Sequence, residues 1–196
     1  DVTAWLGPHK HFISYAIRGG ELINFVAIEE REAWAQEGWS HKGNLATMRK
    51  AFDDWDGPVT AIMEAAESCF LWGLFDRPPL ERWSDGRVCL LGDACHPMLP
   101  FMAQGAAMAV EDSWALTDRI MNYPASIPAA LRAYAAARKP RAELMQKLSS
   151  DNAKLFHRAS PAARTLRDLK FKAGMAMPSA VHAKLDKIYG VNVTKC

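Results

Sequence analysis

From His11 to Arg18 the chain alternates, with His11, Ile13, Tyr15 and Ile17 on one face of a strand and Phe12, Ser14, Ala16 and Arg18 on the other. Gly19-Gly20 can take the positive φ values of a tight hairpin loop, and Glu21 to Ile28 reads as a return strand rich in β formers. A two-residue loop sets Arg18 opposite Glu21, Tyr15 opposite Asn24 and His11 opposite Ile28. The His11 face also carries Leu22 and Val26, so it is apolar apart from His11, Tyr15 and Asn24. Two readings remain open: buried polar groups with satisfied hydrogen bonds, or a pocket wall where an imidazole and a phenol meet a polar ligand. The two side chains start about 13 Å apart along the strand, far enough to reach opposite parts of a small ring. Trp5-Leu6-Gly7-Pro8 reads as the turn entering this hairpin, Glu29-Glu30-Arg31-Glu32 as solvated, and Trp34 and Trp39 as packing residues.

The period then lengthens. Asn44 is placed to cap a helix whose apolar stripe is Leu45, Met48, Phe52 and Trp55. Pro58 suits a first helical position, with Val59, Ile62 and Ala66 following along one side and Glu67-Ser68 ending it. Cys69 to Phe75 reads as a strand added to the hairpin's sheet. Asp76-Arg77-Pro78-Pro79 is a stiff turn, and Trp83 and Arg87 flank a second turn at Ser84-Asp85-Gly86. Leu131 to Asp151 forms a long helix with Pro140 inside it, Asn152 to His157 continues or closes it, and Ala162 to Phe171 forms a shorter one burying Leu166 and Leu169. Gly174 to Pro178 is a break, and His182 to Tyr189 a last short element.

Between these halves lies the most informative stretch. Val88 to Leu91 suits a short buried strand; Gly92-Asp93 ends it; Pro97 and Pro100 exclude a helix from the loop; Gln104-Gly105 opens a helix. Small residues at Ala103, Gly105, Ala106, Ala107 and Ala109 let that helix start approach something flat or anionic. An acid just beyond a strand end is also where an open α/β sheet meets its ligands.

Composition narrows the classes. With 24 basic and 22 acidic residues in 196, no strong field favours nucleic acid, and Arg138-Lys139-Pro140-Arg141 alone is weak support for one. No apolar run is long enough for a membrane span. The four cysteines form no C-x-x-C pair, which speaks against a zinc site and suits a reducing compartment, the cytoplasm. No metal is expected. The G-x-G-x-x-G fingerprint of a dinucleotide-binding βαβ unit does not occur.

The run Leu91-Gly92-Asp93-Ala94-Cys95-His96-Pro97, with Pro100 to Asp112 after it, resembles the second flavin-binding motif of the class A flavoprotein monooxygenases. Within them the chain is most similar to the salicylate, 3-hydroxybenzoate and 6-hydroxynicotinate hydroxylases, from Trp5-Leu6-Gly7-Pro8 to Ile188-Tyr189-Gly190. The resemblance implies an α/β protein, α+β within this chain: a mixed substrate-domain sheet, then the C-terminal strand and helices of a Rossmann-like FAD domain. The expected partition is residues 1–80 for substrate, 81–160 for FAD, and 161–196 as a helical extension. The N-terminal half of the FAD domain, bearing the glycine fingerprint, is expected to be missing.

The same resemblance implies the chemistry: hydroxylation of a small aromatic carboxylate, a phenol or hydroxypyridine, with FAD, O2 and NADH or NADPH. Asp93, next to Gly92, holds the ribityl chain; Gly105 and the amides after it, Ala106 first, face the pyrimidine edge; Pro100 lines the ring; Arg77 acts electrostatically near it. His11 and Tyr15 line the substrate site, with His11 helping to take the phenolic proton, and Gln104 reaches the substrate hydroxyl. A neutral amide orients a phenolate but cannot serve as its base, so the proton passes to His11. His96 fixes the flavin loop, and His157 and His182 are surface or packing residues. Glu111 and Asp112 are candidates to pair with the later arginines, and the Arg-x-Pro-Arg run serves interdomain packing. The sequence departs from the family at Ala16, where proline is usual, and at Cys95, where alanine is; Cys95 reads as tight packing. A flavin epoxidase or reductase of an isoprenoid would keep Asp93 and Gly105 without needing the His11–Tyr15 wall. A noncatalytic interaction module is the third alternative.

Overall fold

The computed structural model describes residues 2–31, 38 and 40–195, the Lys184 side chain excepted. Glu32, Trp34, Trp39 and Cys196 lie outside the described residues. The chain forms two compact units, residues 1–74 with 156–164 and residues 75–155 with 165–196.

In the first unit, β1 (Val2–Gly7), β2 (Lys10–Ile17) and β3 (Leu22–Glu29) make an antiparallel meander with β2 in the middle. Trp5-Leu6-Gly7, expected to enter a turn, instead continues β1: Trp5 pairs with Phe12 and Leu6 with His11, and the turn itself is Pro8-His9. The β2–β3 register is the expected one, His11 opposite Ile28 and Tyr15 opposite Asn24. The ladder closes at Ile17–Leu22, because Arg18 and Gly19 adopt left-handed φ values and Arg18–Gly20 forms a 3-10 turn.

One face of the meander carries the core. Phe12 stacks on Phe25 with ring centroids 5.2 Å apart and meets Trp5 edge-on, and these pack on Phe52, Val59 and Met63. The helices α1 (Leu45–Ala51) and α2 (Pro58–Ala65) supply the other side of this core. Asn44 caps α1 by accepting the Thr47 N–H at 2.9 Å, and Pro58 opens α2. The segment after α2 does not join the meander. Within it only Phe70–Leu71 (β5) forms a strand, paired with His41–Lys42 (β4) in a separate ladder. A groove of about 660 Å³ lies between the β3 edge and residues 68–74, lined by Phe25, Ala27, Met48 and Phe70 among others.

The second unit is mostly helical. Ser84–Asp85 (β6) and Val88–Cys89 (β7) form a small hairpin about Gly86, at φ +56°. The expected buried strand is therefore short, and Val88 is 70% exposed, since no other described strand pairs with it. Then come α3 (Gly105–Asn122), α4 (Ile127–Phe156), α5 (Pro161–Ala176) and α6 (Pro178–Tyr189). Pro140 lies inside α4, which stays one helix. Trp83, Cys95, Met108, Ala115, Tyr134, Ala142, Met145 and Ile188 form this unit's core. On α5 the expected burial is reversed: Leu166 and Leu169 are exposed and Arg167 is buried. No helix among the described residues is long and apolar enough to cross a membrane.

Candidate functional site

In the second unit the Gly-Asp motif sits on a 3-10 turn, Gly92–Ala94, that follows β7. Gly92 has φ +61°, a conformation that disfavours side chains, and a Cβ there would lie 3.1 Å from that of Ala109. The turn is thereby pressed against the first turns of α3. Asp93 is exposed, and a Cβ added to Gly105 would stand 3.8 Å from its Oδ1. The acid and the glycine singled out in the sequence are thus neighbours. No side chain caps the start of α3, so its first amides keep their donor character, and the adjoining Ala106 and Ala107 are exposed. Gln104 is the residue before the helix; its amide nitrogen lies 3.4 Å from the Ala103 carbonyl, a weak contact. Pro100 opens a 3-10 turn ended by Ala103 in a left-handed conformation, φ 52°.

Behind this exposed surface lies a buried ionic network. Asp112 Oδ2 accepts the Gly92 N–H at 3.2 Å and His96 Nε2–H at 2.5 Å, while Oδ1 accepts Arg138 Nε–H at 2.7 Å. Arg138 also pairs with Glu111 at 2.8 Å, and Glu111 receives a two-pronged contact from Arg141, both at 2.7 Å. Burial alone would raise the Asp112 carboxyl; hydrogen bonds from His96 and Arg138, then their charges, reverse this and hold it below the usual carboxylate range. Glu111 is held down in the same way by Arg141 and Arg138. The Arg-x-Pro-Arg run therefore finds these acids within its own unit. His96 fixes the loop, as expected, with its Nδ1 buried and without a hydrogen-bond partner among the described residues. Cys95, His96 and Asp112 place ligand-type atoms within 4.8 Å of one another. Both Asp112 oxygens are already engaged, and burial followed by the Asp112 charge pushes the Cys95 thiol up to about 12, a donor set suited to an ion-pair network.

A second brace was not legible in the sequence. Along α4, Gln146 donates to the Pro97 carbonyl at 2.9 Å, Ser149 to that of Leu99, and Asn152 to that of Phe101 at 3.0 Å. The three donors recur every third residue on one helix stripe, and the acceptors are the alternate carbonyls of Pro97, Leu99 and Phe101 in the loop before α3. The spacing of 146, 149 and 152 is the only sequence signal, and it names no partner. Asp76 accepts a hydrogen bond from Ser150 at 2.6 Å, and the Arg77 guanidinium lies 5.6 Å from the Phe75 ring centre. Arg77 stands exposed just after the boundary between the units.

In the first unit His11 and Tyr15 share a face of β2, opposite the Phe12 core. His11 is fully buried, with Phe156 edge-on at 5.4 Å, whereas Tyr15 is 36% exposed and Ile17 and Leu22 also face solvent. The wall is closed at its His11 end and open at its Tyr15 end. Neither residue lines the groove beside β3. Burial, then the neighbouring His157, lowers the His11 pKa to about 4. His157 is buried and bonded, not a mere surface or packing residue: its Nε2 is 2.5 Å from His11 Nδ1 and its Nδ1 is 2.8 Å from Glu30 Oε1. Glu30, expected to be merely solvated, also bonds His9. His182 is exposed.

Residues 60–149 match the FAD binding domain family. Over 167 residues the chain is 37% identical to a 3-amino-4-hydroxybenzoate 2-monooxygenase of Streptomyces platensis, covering 85% of this chain and 42% of that enzyme. It is 39% identical over 161 residues to a 6-hydroxynicotinate 3-monooxygenase of Bordetella bronchiseptica, covering 80% of this chain and 42% of the relative. Among solved structures, a salicylate hydroxylase substrate complex superposes with a TM-score of 0.78 at 24% identity, over 99% of this chain and 48% of that one. The chain thus spans less than half the length of the curated relatives it matches.

Proposed function

We propose that the protein containing this chain is an FAD-dependent aromatic hydroxylase that hydroxylates a small aromatic acid, a phenolic or hydroxypyridine carboxylate, using O2 and NADH or NADPH, a reading supported by its similarity to such enzymes over the length it shares with them. The observation that carries this reading is the exposed Asp93 carboxylate beside Gly105 at the uncapped start of α3. A carboxylate accepts hydrogen bonds from sugar-alcohol hydroxyls, and free helix amides donate to a ring edge that gains negative charge. These residues fit a flavin: Asp93 with Gly92 takes the ribityl chain, Gly105 and Ala106 present amides to the pyrimidine edge, and the Pro100 loop lines the ring. When bound, FAD supplies oxygen activation after reduction by the nicotinamide.

The remaining roles belong to the protein. His11 accepts the ring hydroxyl's proton, which pushes electron density into the ring; Tyr15 and Gln104 orient the substrate; Arg77 contributes positive charge near the cofactor. The ionic network and the α4 brace keep the flavin loop fixed, so that little reorganisation is needed on binding. With under half the length of its relatives and no glycine fingerprint, the 196-residue chain alone is expected to lose FAD on desalting and to show no turnover.

The decisive test uses the full-length protein with Asp93→Leu and Gly105→Val combined. The expected result is loss of bound FAD, with 3-hydroxybenzoate, salicylate and 6-hydroxynicotinate hydroxylated only by the unaltered enzyme. Normal FAD affinity and normal flavin reduction in the double variant would overturn the reading.

A further inference from the structure

Four side chains of the first unit form an unbroken hydrogen-bonded line from its interior to its surface. His11 Nδ1 and His157 Nε2 are 2.5 Å apart, His157 Nδ1 and Glu30 Oε1 are 2.8 Å apart, and Glu30 Oε2 and His9 Nδ1 are 2.8 Å apart. The line begins at a fully buried ring, and His9 and Glu30 at its far end are 65% and 48% exposed. Its parts come from separate places: β2, the residue just after β3, the Pro8-His9 turn and the segment after α4. Backbone bonds hold them in place, with Glu30 N–H donating to the His9 carbonyl at 2.8 Å and His9 N–H to that of His157 at 3.3 Å.

The direction of every proton follows from one end. An ionised carboxylate only accepts, so His157 must donate from Nδ1 and His9 from its own Nδ1. A neutral His157 then has a lone pair at Nε2, so His11 donates from Nδ1. His11 is left with its basic lone pair on Nε2, the atom pointing away from the line. Glu30 is suited to its part: burial acts to raise its carboxyl, but hydrogen bonds from His9 and His157, then their charges, bring it below its ordinary value.

We propose that His157 and Glu30 are a proton relay for His11, setting its tautomer and carrying the substrate's proton to solvent. The proposal rests on the reading of His11 as the acceptor of the ring hydroxyl's proton. The transfer balances. One proton joins His11 Nε2; that of His11 Nδ1 passes to His157 Nε2; that of His157 Nδ1 passes to Glu30 Oε1; Glu30 releases it to water. Both imidazoles end neutral with the proton on Nε2, still bonded to each other in the reverse sense. When the product oxygen takes its proton back, the same path runs backward and restores the starting tautomers. A buried ring that resists holding positive charge is thus spared from doing so for longer than a transfer.

The test is nitrogen NMR of the 196-residue chain labelled at histidine, at pH 7. Expected are His11 and His157 both neutral and protonated at Nδ1, with a coupling across the N–H···N bond between them. Glu30→Leu is expected to move both protons to Nε2, a propagated inversion that a merely structural contact would not produce. Nε2 protonation of either ring in the unaltered chain, absence of the coupling, or unchanged tautomers in Glu30→Leu would overturn the relay. In the full-length enzyme, stopped-flow absorbance of bound 3-hydroxybenzoate follows phenolate formation. Glu30→Leu should slow it by about tenfold or more, with Glu30→Asp restoring it. Unaltered deprotonation in Glu30→Leu, beside its loss in His11→Asn, overturns the relay and spares the reading; unaltered deprotonation in His11→Asn overturns the reading.

Discussion

The two units each bury a histidine against an acid, and they do so to opposite ends. In the second unit His96, Asp112, Arg138, Glu111 and Arg141 form a closed set: cation meets anion, both Asp112 oxygens are engaged, and Asp112 and His96 are wholly buried. In the first unit His11, His157, Glu30 and His9 form an open line that grades from buried to exposed. The closed network fixes a backbone, since Asp112 within it accepts the Gly92 N–H. The open line fixes little backbone and connects an interior base to water. A buried polar cluster therefore acts as clamp or conduit according to whether its charges compensate internally and whether one end is wet.

The largest expected effect comes from breaking the clamp. Arg138→Met removes the cation shared by Asp112 and Glu111 and leaves a buried carboxylate short of a partner, at a cost of about 3–5 kcal/mol. Amide exchange in α3 should accelerate accordingly and the urea midpoint should fall. Replacing both partners, Arg138→Met with Asp112→Leu, should recover a large part of the loss, because the penalty is the uncompensated charge. A single variant with unchanged stability would show that the network does not clamp.

How much of this could be read from the residues depends on sequence distance. Signals acting within a few positions were legible: the β2–β3 register from alternation and Gly19-Gly20, the Asn44 cap, Pro58 at a helix start, and Gln104-Gly105 opening α3. So was the nearness of Asp93 to Gly105, through the motif that joins them. Partnerships set by tertiary packing were not. His157 meets His11 across 146 positions, and nothing beside either residue announces the other. Cys69 to Phe75 has strand composition, but its partner was decided by His41–Lys42, which carries no strong strand signal. Leu166 and Leu169 have helical spacing without burial, because periodicity reports a face and not what covers it.

Acid separates the two units next. His11 titrates near 4 when folded and near 6.5 when free, so between these pH values the unfolded chain binds a proton that the folded chain refuses. Stability must then fall as pH drops from about 6.5 to 4, by about 3 kcal/mol as a ceiling. Asp112 and Glu111 have lowered folded pKa values, so their contribution is present above the ordinary carboxylate range and is lost only as pH falls below it. Glu30 shifts the same way. Amide exchange at β2 should accordingly respond between pH 6.5 and 4, while that of α3 responds below about 4. His11→Gln should flatten the first response and leave the second; equal responses from β2 and α3 across the whole range would erase the distinction.

The smallest effect tests whether the clamp has a second, neutral part. Gln146, Ser149 and Asn152 donate to alternate carbonyls of the loop before α3, each a neutral hydrogen bond with a net value of about 0.5–1.5 kcal/mol. Gln146→Leu removes the donor to Pro97 and, at the same stroke, the buried Oε1 that has no partner among the described residues. Its cost should therefore fall toward the lower end of that range, whereas Ser149→Ala, which orphans the Leu99 carbonyl without relieving anything, should cost more. Neither should change amide exchange at β2. Equal costs for the two would mean that loop carbonyls rehydrate freely once released, leaving the ionic network as the sole clamp on the Asp93 turn.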